Sequence, residues 1–179
     1  MFPFLYDIVN INTFIVVKYV DTKVVFREIP DEITLAINIS NCPCCCDGCH
    51  SSYLAKDIGN ILNKDALENL ISSNPGITCV AFMGGDADPK YINNLALLVN
   101  NNKDIKVAWY SGRDYISPNI DVRNFDYIKV GSYKKECGPL DNPSTNQRLY
   151  KINKVTEEDG QDNVILEDIT SKFWKNGTS

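Results

Sequence analysis

The chain of 179 residues is 44% hydrophobic and 23% charged, with a net charge of −5 and an isoelectric point near 4.9. A chain of this size and balance folds as one domain that buries roughly 70% of its unfolded surface, which excludes a disordered or collagen-like polymer. The acidic charge argues against a general nucleic-acid-binding surface, and no window holds the roughly 18 apolar residues of a membrane span.

Residues 1–17 are apolar but interrupted by Pro3, Asp7, Asn10 and Asn12. They carry neither a basic start nor a small-residue cleavage site, so they do not read as a signal peptide. Residues 1–12 read as an extension before a single domain over 13–179, and the expected compartment is the cytoplasm. Residues 14–20 and 23–29 are β-branched and aromatic around Asp21-Thr22, which predicts a hairpin. Residues 33–39 form a third apolar run that leads straight into a cysteine cluster.

Leu67, Leu70 and Ile71 then lie at helical spacing before the stop at Asn74-Pro75-Gly76. Residues 77–82 read as a buried strand ending at Met83-Gly84-Gly85-Asp86. Asp88 and Pro89 open the next helix as cap and first residue, with Ile92, Leu95, Leu98 and Val99 on its apolar face. Residues 105–110 and 125–130 read as two more strands, ending at Ser111-Gly112-Arg113-Asp114 and Gly131-Ser132. The tail over 138–179 is turn-rich at first. It then predicts a second hairpin, 148–153 with 164–169, around Asp159-Gly160.

Strands alternating with helical segments predict an α/β fold with a mostly parallel sheet. In such folds ligands bind beyond the carboxyl ends of the strands, so these loops should converge on one rim. The chain is shorter than the roughly 250 residues of an eight-fold barrel, so the expectation is a partial (βα) barrel or open curved sheet.

Five of the seven cysteines, Cys42, Cys44, Cys45, Cys46 and Cys49, fall within eight residues. In a reducing compartment such a cluster points to metal binding or catalysis rather than to disulfides. Cys46-Asp47-Gly48-Cys49-His50 reads as C-x-x-C-H, but His50 is the only histidine and no export signal accompanies it, which argues against attached haem. A zinc set of Cys42, Cys45, Cys46 and Cys49 leaves no spacer between its two pairs. Ferredoxin spacing fails because Gly48 stands where its fourth cysteine belongs. The register Cys42-x3-Cys46-x2-Cys49 remains, with three thiolates and one open metal position. Cys79 reads as core packing, and Cys137 as a loop thiol.

That C-x3-C-x2-C, following the first strand of a βα series, resembles the radical S-adenosylmethionine superfamily. Gly84-Gly85-Asp86 resembles its GGE-type motif. A closer likeness is to the activating proteins of anaerobic ribonucleoside-triphosphate reductases. It is carried by Asn41-Cys42-Pro43, Gly48-Cys49-His50-Ser51, Tyr110-Ser111-Gly112-Arg113, Gly138-Pro139-Leu140 and residues 145–150, and it spans roughly residues 14–175. Asp47 replaces a usual proline, and Cys44 and Cys45 are extra thiols.

The resemblance implies a [4Fe-4S] cluster on Cys42, Cys46 and Cys49, with S-adenosylmethionine chelating the open iron. One electron from the cluster breaks a C–S bond of the sulfonium. The resulting 5′-deoxyadenosyl radical removes hydrogen from a glycine of the large reductase subunit. A flavodoxin-type donor is implied, with neither nucleic acid nor membrane as partner. In this scheme Gly84 and Gly85 let backbone approach the methionyl group, and Asp86 accepts from its ammonium. His50 stacks on adenine or donates to the cluster, and Ser111 and Arg113 contact ribose or carboxylate. Three alternatives stay open: a small-molecule radical enzyme such as a deazapurine synthase, a non-enzymatic zinc or electron-transfer module, and a degenerate protein without turnover.

Overall fold

The computed structural model describes residues 16–102, 104–156 and 162–174; the expected extension over 1–12 lies outside them. Eight strands form one sheet among the described residues. They are β1 (Lys18–Val25), β2 (Thr34–Ile39), β3 (Asn60–Ile61), β4 (Cys79–Met83), β5 (Lys106–Tyr110), β6 (Tyr127–Val130), β7 (Arg148–Thr156) and β8 (Asp162–Asp168). Two α-helices accompany them, α1 (Lys64–Ser72) and α2 (Pro89–Asn100). The strand order is β3-β1-β2-β4-β5-β6-β7-β8. No helix among the described residues is long and apolar enough to cross a membrane.

The α/β class expected from the sequence is present, but the sheet is mixed rather than mostly parallel. Only the central strands β2, β4, β5 and β6 run parallel, and both flanks pair antiparallel. The central strands read TLAINI, CVAFM, KVAWY and YIKV, the near-continuous apolar runs of strands covered on both faces.

The expected hairpin around Asp21-Thr22 does not form. β1 runs through both residues, which pair with Asn38 and Ile37 of β2. Asp21 Oδ1 accepts from Asn38 Nδ2 at 2.6 Å, and neither residue is a glycine able to take the φ > 0 of a tight hairpin turn. Residues 26–32 instead loop back over the sheet. The C-terminal pairing of β7 with β8 is present, and its expected turn at Asp159-Gly160 lies outside the described residues.

Helix starts follow side-chain chemistry. Asn63 caps α1 by accepting from the Ala66 N–H at 2.9 Å. Asp88 caps α2 by accepting from Tyr91 at 3.0 Å, with Pro89 in the first turn. α2 buries Ile92, Leu95, Ala96 and Val99 against Val80, Phe82, Val107 and Trp109 in one core, at roughly 2 kcal/mol for each large side chain removed from water. The other face of the sheet presents Cys79, Ala81, Ala108 and Tyr127. Leu149 of β7 joins that face, which is covered by Ile29, Ile169 and Phe173 rather than by an α-helix. Between β5 and β6 the chain makes only a short 3-10 turn, Val122–Asn124.

Candidate metal and ligand site at the strand ends

The carboxyl ends of β2, β4, β5 and β6 each feed a polar loop, and the four loops meet. After β2 the cysteine loop is pinned at its base. The Asn41 N–H donates to the Lys56 carbonyl at 3.0 Å, and the Cys42 N–H donates to that of Leu54 at 2.9 Å. Asn41 and Cys45 are left-handed at φ 60° and 45°, which folds the thiols back toward the sheet. Asparagine tolerates that region; for Cys45 it stores about 1–2 kcal/mol.

After β4, Gly84 and Gly85 have φ of 101° and 91°. A Cβ on Gly85 would lie 2.4 Å from Ile92 Cδ1, and one on Gly84 would lie 3.1 Å from the Ile39 carbonyl oxygen. The two glycines therefore serve the turn and the core. The indole of Trp109 holds this turn by donating to the Gly84 carbonyl at 2.8 Å.

The turn delivers Asp86, which is 2% exposed. Its Oδ1 accepts from Ser111 Oγ at 2.6 Å. Its Oδ2 accepts from the Gly112 N–H at 2.9 Å and from the Cys44 thiol at 3.7 Å. The Arg113 N–H donates to Ser111 Oγ at 3.1 Å, and its Nη2 donates to the Asp86 carbonyl at 3.4 Å. The expected site residues Cys42, Asp86, Ser111 and Arg113 are thus brought together. Asp86 is not a free acceptor: its carboxylate already carries three internal donors.

Cys44, an extra thiol by sequence, sits at the centre. The Cys42 and Cys44 sulfurs and an Asp86 oxygen all lie within 4.8 Å of one another. Cys44 has one proton for two acceptors, the Cys42 sulfur and the Asp86 carboxylate. Its hydrogen bond holds Cys42 down at about 6, while the same bond, burial and the Asp86 charge push Cys44 far above the usual thiol range. Gly112 makes room for it, because a Cβ there would fall 2.8 Å from Cys44 Sγ.

Cys46 and Cys49 are half-buried on the same loop, and the Cys49 N–H donates to the Cys46 carbonyl at 3.2 Å. His50 is not brought in: its ring is exposed, 3.4 Å from Ser51 Oγ. A cleft of about 330 Å³ opens beside the cysteines, walled by Cys44, Cys46, Ser132, Tyr133 and Lys134. A larger cleft of about 780 Å³ touches the strand ends only at Tyr110, and is otherwise lined by residues such as Phe26, Arg27 and Trp174. Volume favours the larger cleft, but the thiols of Cys44 and Cys46 line the smaller one.

The sequence reading missed Cys44 as a central group, Gly112 as its seat, and Lys129. Lys129 is a lone charge inside an otherwise apolar run, and that oddity was its signal. The Gln147 of the tail is buried beneath Gly131, whose added Cβ would lie 2.8 Å from Gln147 Cα, so it braces the rim. No family model, curated protein or solved structure matches this chain.

Proposed function

We propose that the chain is a radical S-adenosylmethionine enzyme that activates a second protein. It cleaves S-adenosylmethionine at a [4Fe-4S] cluster on Cys42, Cys46 and Cys49. It then takes hydrogen from a glycine of the large subunit of an anaerobic ribonucleoside-triphosphate reductase. One observation carries the reading. The cysteine loop, Gly84-Gly85-Asp86 and Ser111-Gly112-Arg113, the motifs on which the resemblance rests, meet at the ends of adjacent parallel strands.

The donor set fits the group: three half-buried thiols on one pinned loop, one of them a ready thiolate, with soft sulfur of the kind such clusters take. When bound, the cluster supplies the electron that opens the sulfonium. The chain's own residues bind and orient. Asp86 exchanges the weak Cys44 thiol bond for the ligand's ammonium, a charge-assisted bond. Ser111 and Gly112 keep the carboxylate aimed, and the half-buried Arg113 beside it would hold the ligand's carboxylate or ribose. On this reading the sheet is a partial barrel, the electron comes from a flavodoxin-type donor, and the protein works in the cytoplasm.

The test is anaerobic reconstitution, iron and sulfide analysis, and EPR of the reduced protein with and without S-adenosylmethionine. About four irons with a cofactor-altered spectrum is the expected result. A glycyl radical on added large subunit identifies the protein substrate, whereas turnover of a small molecule instead moves the activity to that class. A second reading is favoured by the Cys42, Cys44 and Asp86 juxtaposition: two thiolates and a carboxylate around one zinc ion. Zinc at unit stoichiometry without sulfide supports it.

A further inference from the structure

We infer that Lys129 is a positioning residue of this site, whose buried ammonium ties the loops after β5 and β6 together and stabilises added negative charge at the cysteine loop. The inference rests on the iron–sulfur reading above. Lys129 is 7% exposed and lies in β6, a strand buried along its whole length. Its Nζ donates to the Gly131 carbonyl at 2.6 Å and to the Ser111 carbonyl at 3.4 Å. It thus clamps the first residue of each loop from beneath. Ser111 is also the residue whose hydroxyl aims Asp86, so the clamp reaches the ligand-binding carboxylate through one side chain.

Two carbonyls take two of the ammonium's three donors but do not neutralise it, and burying an unneutralised charge is costly. The neutralising field at neutral pH comes from the carboxylates of Asp86 and Asp114, and the Cys46 and Cys44 sulfurs add to it only when they carry charge. Burial outweighs them and brings it down to about 8, so at neutral pH the group is still mostly charged. A methionine would fill the same length without that desolvation. A structural filler therefore does not need the charge, whereas a site that must accept an extra electron does. A fixed cation near the thiolates favours the reduced cluster and raises its potential, as hydrogen bonds and net charge do around such clusters in general.

The experiment is an anaerobic redox titration, followed by EPR, of the reconstituted full chain and its Lys129→Met, Lys129→Gln and Lys129→Arg variants. Neutral variants should titrate at more negative potential, with the reduced-to-oxidised ratio at a fixed potential lowered roughly tenfold. Lys129→Arg should return to the wild-type value. Equal potentials in wild type and Lys129→Met overturn the inference, as does an equal shift in Lys129→Arg and Lys129→Met. Failure of all three variants to fold makes Lys129 a purely structural residue and also overturns it. Failure of wild type to assemble a cluster is a separate result: it removes the functional reading first and this inference with it.

Discussion

Glu32 and Asp86 are carboxylates sealed from water at opposite ends of the same sheet, 7% and 2% exposed, and they are satisfied in different ways. Glu32, at the amino ends of the strands, pairs with Lys106 and accepts from Tyr127 at 3.0 Å and Thr78 at 2.7 Å. Its partners stand at the starts of β5 and β6 and just before β4, so the cluster cross-braces the sheet with its charge cancelled. Asp86 holds a hydroxyl, a backbone N–H and a long thiol bond, all neutral. One end is closed by an ion pair. The other keeps a negative charge that acts on the Lys129 ammonium without bonding to it, and its weakest donor is one that a cationic group can displace. Where a buried acid has its own cation it braces; where it has only neutral donors it is ready for a ligand.

The largest effect that tests this contrast is at the thiols. Cys42→Ala, Cys46→Ala and Cys49→Ala should each abolish iron binding and S-adenosylmethionine cleavage, while Cys45→Ala, at an exposed position, should change neither. Cys44→Ala separates the two metal readings, because iron content survives it and a zinc site built on Cys44 does not.

Next come the acids themselves. Glu32→Ala should cost about 3 kcal/mol in denaturant unfolding, roughly 6–12 °C in Tm, with cofactor binding unchanged. Asp86→Asn keeps an acceptor for Ser111 and should cost only about 1 kcal/mol, yet lower S-adenosylmethionine affinity at least about tenfold in equilibrium dialysis. A reversal of these two patterns breaks the comparison.

A third comparison is the pH signature of Lys129. Its folded value is lowered to about 8 from 10.5, by burial first and against Asp86, Cys46, Cys44 and Asp114. Between those values the unfolded chain holds a proton that the folded chain has shed. Stability relative to Lys129→Met must therefore rise with pH over that window, by at most about 3 kcal/mol, and stay flat below about 8. Paired urea melts from pH 7 to 10.5 measure it, and a fall across the window contradicts the burial.

The smallest effect is kinetic. In metal-free protein at pH 7, Cys44→Ala should slow alkylation of Cys42 about fourfold, since the lost thiolate fraction is partly offset by higher intrinsic nucleophilicity. Peptide-resolved mass spectrometry reads it.

Much of the fold was legible because it is written in local chemistry. Asp88-Pro89 specifies a cap and first turn, and the apolar runs of the central strands specify burial on both faces. The first hairpin was not legible. Asp21-Thr22 looks like a turn, and what overrides it is the partner strand β2, a long-range pairing that local pattern does not contain. At the site, the cysteine spacing and the glycine-rich turns were readable as motifs. The meeting of Cys44 with Asp86 spans 42 residues of sequence and two strands, so spacing within the cysteine loop could not reveal it. The packing of Gly84 and Gly85 against Ile39 and Ile92 is likewise a long-range contact that the local glycine pair does not disclose.

The meeting of loops that follow four separate strands also sets an order of events in the life of the chain. Five thiols leave the ribosome long before Asp86, Gly112 and Lys129 exist to face them. Pairings this distant form late, after loop closure has been overcome. During that interval the cysteine segment is an unguarded chelator for any thiophilic ion. On the metal-binding function proposed above, the occupant is therefore decided in part by timing: loading after β6 has joined the sheet meets a shaped rim, and loading before it meets only sulfur.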